Sequence, residues 1–227
     1  MKAPPEGGAG SGVARRAVWS DGTAFGCPRD FGDNRFVYTV ISPRARGLSV
    51  GVNMNPDRGC NFDCVYCEVN RPGLAGDSRL DIPVMIAELE RMLERVASGG
   101  LRKRACYRNA PPELLELRHV TLSGDGEPTL CPNFADAVHA VCHLRARGRI
   151  PRFKLVLITN ASGLVRREVI RGLDLFNSLD EVWAKLDAGT QEYMNRVNHP
   201  GCSIEGVLAN ILDLARRRPV IIQSLFP

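Results

Sequence analysis

The chain has 227 residues, of which 44% are hydrophobic, 24% charged and 6% aromatic, enough apolar material for one large domain or two small ones and too much for wholesale disorder. Its formal net charge of +5 permits a polyanionic partner such as RNA without requiring one. No apolar run approaches the roughly 20 residues of a membrane span and the N-terminus lacks an apolar signal core, so no membrane partner is expected.

Residues 1 to 17, rich in Gly, Ala and Pro, read as a disordered tail, and residues 18 to 35, with an isolated Cys27, as an irregular segment. Residues 1–35 therefore form an extension and residues 36–227 the core. Phe36 to Ile41 reads as a short strand ended by Ser42-Pro43-Arg44. Leu48, Val50, Val52 and Met54 then alternate with Ser49, Gly51 and Asn53, the period of a strand with one apolar and one small, polar face. Residues 68 to 80 read as a linker. Asp81 is placed to cap a helix that tolerates Pro83 in its first turn, carries Ile82, Met85, Ile86, Leu89, Leu93 and Val96 at helical spacing, and stops at Gly99-Gly100. A basic cluster follows (Arg102-Lys103-Arg104, then Arg108). Such clusters are more often solvated faces, but it is the best nucleic-acid candidate in the chain.

A short helix is expected over Pro111 to Leu117, a strand over Val120 to Ser123, and a helix capped by Asn133 running to Gly148. Phe153 to Thr159 is nearly all apolar and suits a buried parallel strand. A helix over Leu164 to Leu173, a strand over Val182 to Asp187, a helix capped by Ser203 and a strand at Val220 to Gln223 complete the pattern. The order is β-loop-α, then β-α three more times, then β, which argues an α/β fold with a parallel sheet and right-handed crossovers. A partial (β/α) barrel and an open doubly wound sheet both satisfy it. Ending on Leu225-Phe226-Pro227, near the fifth core strand, would leave an apolar strand poorly covered, so the C-terminal part of the core is expected to be missing.

Eight cysteines are too few for a disulfide-built scaffold of this size, which argues a reduced, cytoplasmic protein. Three of them fall in the loop after the Leu48 strand: Cys60-Asn61-Phe62-Asp63-Cys64-Val65-Tyr66-Cys67. Thiolates are soft ligands, and three from one loop can hold three irons of a cubane while the fourth iron stays open. The same residues could belong to a structural zinc site with Cys27, Cys106 or a histidine as fourth ligand. Cys60, Cys64, Tyr66 and Cys67 reproduce the Cys-x-x-x-Cys-x-aromatic-Cys signature and resemble that of the radical S-adenosyl-L-methionine (SAM) enzymes. With Ser42-Pro43-Arg44 upstream and Ser-Gly-x-Gly-Glu-Pro-Thr-Leu, Ile-Thr-Asn and Lys-Leu-Asp-Ala downstream, the chain is similar to the branch related to wyosine-type tRNA-modifying enzymes.

The resemblance implies the partial barrel, a 4Fe-4S cluster on Cys60, Cys64 and Cys67, and SAM bound beside it. It implies that Gly124 and Gly126 allow close backbone approach, that Glu127 pairs with the methionyl ammonium, and that Tyr66 presents its backbone or ring to the adenine. Asp125 departs from the family's Gly-Gly-Glu. Asn160 and Asp187 end core strands, where sites of parallel βα folds gather, and are further cofactor-binding candidates, with Lys185 and Gln223 on neighbouring strand positions. An external electron donor such as flavodoxin or ferredoxin is implied, and the substrate is open, RNA included. The alternative from another class is a non-catalytic iron–sulfur or zinc module. His139 and His143, four apart on a helix beside Cys142, have a metal-capable spacing but read as an ordinary helix face. Cys106, Cys131, Cys142 and Cys202 repeat no cluster spacing, so one cluster is expected.

Overall fold

Strands β1 (Val37–Ser42), β2 (Gly47–Asn53), β3 (Leu117–Ser123), β4 (Lys154–Thr159), β5 (Glu181–Lys185) and β6 (Val220–Gln223) lie side by side in chain order in one sheet. The computed structural model describes residues 29–69 and 77–226. The readings of the first 28 residues, Cys27 among them, and of most of the linker at 68–80 fall outside the described residues. β2 to β6 are all parallel, and β1 runs antiparallel to β2. The five strands of the β-α alternation are thus parallel as expected, and β1, which stands outside that alternation, adds an antiparallel edge. Only residues 43–46 join β1 to β2, and a link that short makes a hairpin, not a crossover. β1 and β6 are the two edges, so the sheet is an open partial barrel.

The helices α1 (Ile82–Ala97), α2 (Phe134–Ala146), α3 (Arg167–Leu173), α4 (Gln191–Val197) and α5 (Ile204–Ala215) fill the crossovers. Asp81 caps α1 by accepting the Val84 N–H, and Ser203 caps α5 by accepting that of Gly206. Met85, Leu89 and Leu93 of α1 and Val138 and Val141 of α2 are fully buried with Val50, Val52, Val120, Leu122, Leu155 and Leu157, which forms the main core. Glu88 of α1 is buried too, and its carboxylate accepts the N–H groups of Arg35, Phe36 and Val37, tying the start of β1 to the helix. Asp180, with a fully buried side chain, takes two hydrogen bonds from Arg145 at 2.6 and 2.9 Å and the Leu155 N–H at 2.7 Å, so one carboxylate joins α2, β4 and the start of β5.

Four local expectations are corrected. Asn133 precedes α2 but does not cap it with its side chain. That side chain accepts the Leu80 N–H and donates to the Leu80 carbonyl instead. The helix expected from Pro111 is a single 3₁₀ turn at Pro112–Leu115, and β3 begins at Leu117, three residues before the apolar run. The third helix begins at Arg167, after the turn that follows β4, and not at Leu164. Helix α4 was not expected at all. It has only seven residues and is capped by Thr190, which accepts the Tyr193 N–H.

The inner face of the sheet carries the small, polar side chains of the alternating pattern. Ser49 and Thr121 hydroxyls meet at 3.1 Å, and the Tyr38 hydroxyl meets Ser123 at 2.7 Å. Gly51 lies flat beneath the Tyr38 ring, where a Cβ would come within 2.1 Å of the ring carbon. Deeper on this face His119 stands edge-on to Trp183, ring centres 5.4 Å apart, and the indole N–H donates to Glu181, which also pairs with Lys154.

Burial, with the Lys154 charge adding to it, pushes the His119 pKa down to about 4. The folded imidazole is therefore neutral in a range where an unfolded histidine, with a pKa of about 6.5, takes up a proton. Its contribution is whole above pH ~6.5, is lost as pH falls towards 4, and amounts to about 3 kcal/mol. Denaturant unfolding at pH 7.5 and at pH 4 is expected to show that wild type loses about 3 kcal/mol more than a His119→Gln variant. The same loss in both proteins would show that His119 does not carry this term.

Candidate cofactor site

β2 ends at Asn53, and the cysteine loop leaves it directly, with the Met54 N–H still donating to Ser123 of β3. Three parts of the fold then hold the loop. The Glu127 N–H, beyond β3, donates to the Gly59 carbonyl at 2.9 Å. Beyond β4, Asn160 Nδ2 donates to Asn61 Oδ1 at 3.0 Å, and Asn61 Nδ2 donates to Ser162 Oγ at 2.9 Å. From the α4–α5 turn, the carbonyls of Val197 and Asn198 accept the N–H groups of Val65 and Asp63.

Cys60, Cys64 and Cys67 line a cavity of about 1000 Å³ at the carboxyl ends of the parallel strands. Gly124, Gly126, Glu127, Asn160, Lys185 and Asp187 face the same cavity from β3, β4 and β5, and Tyr66 from the loop. Arg44 reaches it from the β1–β2 turn, donating to the Gln223 side chain at 3.0 Å, so it bridges the two edges of the sheet. Cys106, Cys131, Cys142 and Cys202 are not among its lining residues.

The glycine segment is close-packed. A Cβ on Gly126 would sit 2.0 Å from the Gly59 carbonyl oxygen, and Gly124 holds a φ of +147° against Asn53. Asp125, the departure from Gly-Gly-Glu, has a structural partner on each side: it accepts from Asn53 Nδ2 at 2.9 Å and pairs with Arg29 at 2.9 Å.

Glu127 is 3% exposed. Its Oε1 accepts from the Thr129 N–H, the Thr129 hydroxyl and the Thr159 hydroxyl, and its Oε2 from the Asn160 N–H. A carboxylate offers about four acceptor positions, so Oε2 is the oxygen with room for an outside donor. Burial pushes this carboxyl above the ordinary range, against the pull of those donors.

Asp187 is drawn into a second network. Its Oδ2 accepts from the Tyr66 hydroxyl and from Asn198 Nδ2 at 3.1 Å, and its Oδ1 accepts the Leu225 N–H at 2.8 Å. Lys185 Nζ donates to the Tyr66 hydroxyl at 3.0 Å and stands 4.4 Å from the centre of its ring. Burial, then the bond to Asp187, raises the Tyr66 pKa, so this phenol stays protonated.

The sequence reading missed Asn198, the threonine partners of Glu127 and the reach of Arg44. Asn198 follows a helix too short for a periodic signal; only Thr190 and the Pro200 stop mark it. His139 and His143 are exposed on α2, and His139 lines a separate cavity of about 290 Å³ with Asp136, Arg171 and Asp174. In the basic cluster, Arg104 pairs with Asp30 at 2.6 Å, while Arg102, Lys103 and Arg108 are exposed.

Among the described residues no three His, Cys, Asp or Glu side chains converge as ligands of a single metal ion. A cubane takes one thiolate for each iron, spreads its ligands wider, and suits three cysteines set round one cavity. The open position on Glu127 suits the ammonium of a ligand beside it, and the glycines let the segment after β3 pack directly on Asn53 and on the Gly59 carbonyl of the cysteine loop.

The chain is similar to a UPF0026 protein of Synechocystis, 29% identical over 180 residues that are 77% of this chain and 57% of the relative. It is likewise similar to a UPF0026 protein of Methanocaldococcus jannaschii, 28% identical over 173 residues, 76% of this chain and 46% of the relative. The chain thus spans about half the length of the curated relatives it matches. In structure it is similar to TYW1 with a lysine-pyruvate adduct bound, at a TM-score of 0.50 and 15% identity, over 83% of this chain and 65% of that one. It is also similar to Streptococcus suis SuiB bound to its precursor peptide SuiA, at 0.51 and 15%, over 78% and 32%. The Radical SAM superfamily model matches residues 54–226, from the start of the cysteine loop to beyond β6, and the chain belongs to that superfamily of enzymes.

Proposed function

We propose that the cavity holds a 4Fe-4S cluster on Cys60, Cys64 and Cys67 with SAM beside it, and that the protein abstracts a hydrogen atom from a substrate bound in the partial barrel. The observation that carries this reading is that the three cysteines, the Gly124–Gly126 backbone and Glu127 all face one cavity at the carboxyl ends of the strands. When bound, the two groups supply reductive cleavage of SAM to methionine and a 5′-deoxyadenosyl radical, which takes the hydrogen atom.

The chain's own contribution is orientation and exclusion of water. The three cysteines provide soft ligands and leave one iron for a non-protein ligand. Glu127, fixed by β4 and by Thr129, presents Oε2 to an ammonium. Asp187, which is buried, and Tyr66 and Lys185, which are half-buried, form a wall tied together by hydrogen bonds through the Tyr66 hydroxyl. An external donor of the flavodoxin or ferredoxin type would deliver the electron. RNA is the substrate class to test first, on the positive charge, the exposed Arg102, Lys103 and Arg108, and the resemblance to wyosine-type enzymes.

Anaerobic reconstitution with iron and sulfide, followed by SAM and a strong reductant, is expected to give iron–sulfur absorption and 5′-deoxyadenosine. Zinc bound in place of iron, with no such absorption, would sink the proposal.

A further inference from the structure

The α4–α5 turn grips the cysteine loop through more than its backbone. Asn198 is 3% exposed, and its Nδ2 lies 3.3 Å from Cys64 Sγ, 3.1 Å from Asp187 Oδ2 and 3.2 Å from the Tyr66 hydroxyl oxygen. The two ends of an amide are alike in shape, so its neighbours decide its orientation. Asp187 Oδ2 already accepts the Tyr66 hydroxyl proton and can only accept again, so the NH2 end must face it. That orientation also directs the NH2 group at the Cys64 sulfur. The position is not adjustable, because the Asn198 carbonyl is held by the Asp63 N–H at 2.9 Å and its N–H by the Met194 carbonyl at 2.8 Å.

We infer that Asn198 is a positioning residue that sets the reduction potential of the cluster by donating a hydrogen bond to the Cys64 sulfur. The inference rests on the cluster assignment made above. Reduction adds negative charge that spreads onto the thiolate sulfurs. A fixed N–H aimed at one of them stabilises the reduced form more than the oxidised form and raises the potential. Lys185, Tyr66 and Asp187 extend the same network towards the cavity, so the donor that tunes the cluster is held by the residues that wall the ligand space.

The test uses the whole chain, reconstituted as wild type, Asn198→Leu and Asn198→Asp. Iron and sulfide are counted, and the cluster is titrated potentiometrically with electron paramagnetic resonance as the readout, without SAM. Leu keeps the bulk and removes the donor; Asp is nearly isosteric, cannot donate when ionised and adds negative charge. Both variants are expected to build the cluster and to show a lower midpoint potential than wild type, the Asp variant lower still. Wild-type potentials in both variants at full cluster content would overturn the inference. If Leu alone loses the cluster, the Asp variant decides. Loss of the cluster from both, with wild-type circular dichroism, would reduce Asn198 to a prop for the loop and overturn the tuning role. A wild-type chain that builds no cluster refutes the functional proposal instead, so the two failures are separable.

Discussion

A Cys64→Ala variant is expected to lose iron–sulfur absorption and 5′-deoxyadenosine formation together, both to background. Two thiolates cannot hold a cubane whose third iron has no protein ligand, and water, a hard ligand, is a poor replacement for thiolate sulfur. The fold should survive, because the backbone hydrogen bonds that place the loop remain when the Cys64 side chain, with its contact to Asn198, is removed. The Glu127 N–H holds the Gly59 carbonyl, the Val197 and Asn198 carbonyls hold Val65 and Asp63, and the Cys64 carbonyl still accepts the Cys67 N–H. Cys131→Ala is the matching control. Cys131 is buried, burial raises its thiol to about 11, and it lies outside the cavity lining, so its loss should cost about 1 kcal/mol of stability and no cluster. Iron and sulfide analysis of the two variants beside wild type is the measurement. Full cluster content in Cys64→Ala would remove this cysteine from the ligand set.

The grouping of the cysteines, Gly124, Gly126 and Glu127 at one end of the sheet was legible in the sequence. β-α alternation makes a parallel sheet, and a parallel sheet collects the segments after its strands on one side. Val50 and Val52 could be assigned to the apolar face of their strand because strict alternation has one reading, and Phe153 to Thr159 to a buried strand because it is nearly all apolar. What was not legible depends on contacts between segments far apart in the chain. Asn133 has the residue type and place of an N-cap, yet its amide is taken by Leu80, 53 residues upstream, a competition that local sequence cannot reveal. Asp187, a cofactor-binding candidate in the sequence, does face the cavity, but that its two oxygens are engaged by Tyr66, Asn198 and Leu225 could not be read from its place at a strand end. Helix α4 was missed because seven residues give no periodic signal, and with it went Asn198, which stands at its end against the Cys64 sulfur.

Glu127 is where the sequence expectation and the geometry pull apart most, and two variants separate them. The expectation is a carboxylate paired with an ammonium. The geometry adds a strut: four hydrogen bonds from Thr129, Thr159 and Asn160 tie the end of β3 to the end of β4. Glu127→Ala strips all of these donors of their acceptor inside a site 3% exposed, and a buried unsatisfied donor costs about 1–3 kcal/mol. A loss of about 3 kcal/mol is expected, since water from the cavity replaces part of the carboxylate, together with a loss of SAM affinity of more than about tenfold. Glu127→Gln keeps the shape and one oxygen. Placed at Oε1, that oxygen retains the threonine donors, and the amide nitrogen then opposes the Asn160 N–H and any incoming ammonium. Its melting temperature should fall by only about 2–4 °C, as about 1 kcal/mol does in a chain of this size, while the SAM dissociation constant rises about tenfold or more. Calorimetric titration of SAM into reconstituted protein, with thermal unfolding of the same samples, reads both quantities. A Gln variant with wild-type affinity would leave Glu127 as a strut alone and return the ammonium to the backbone carbonyls of Gly124 to Gly126, where a side chain on Gly126 has no room.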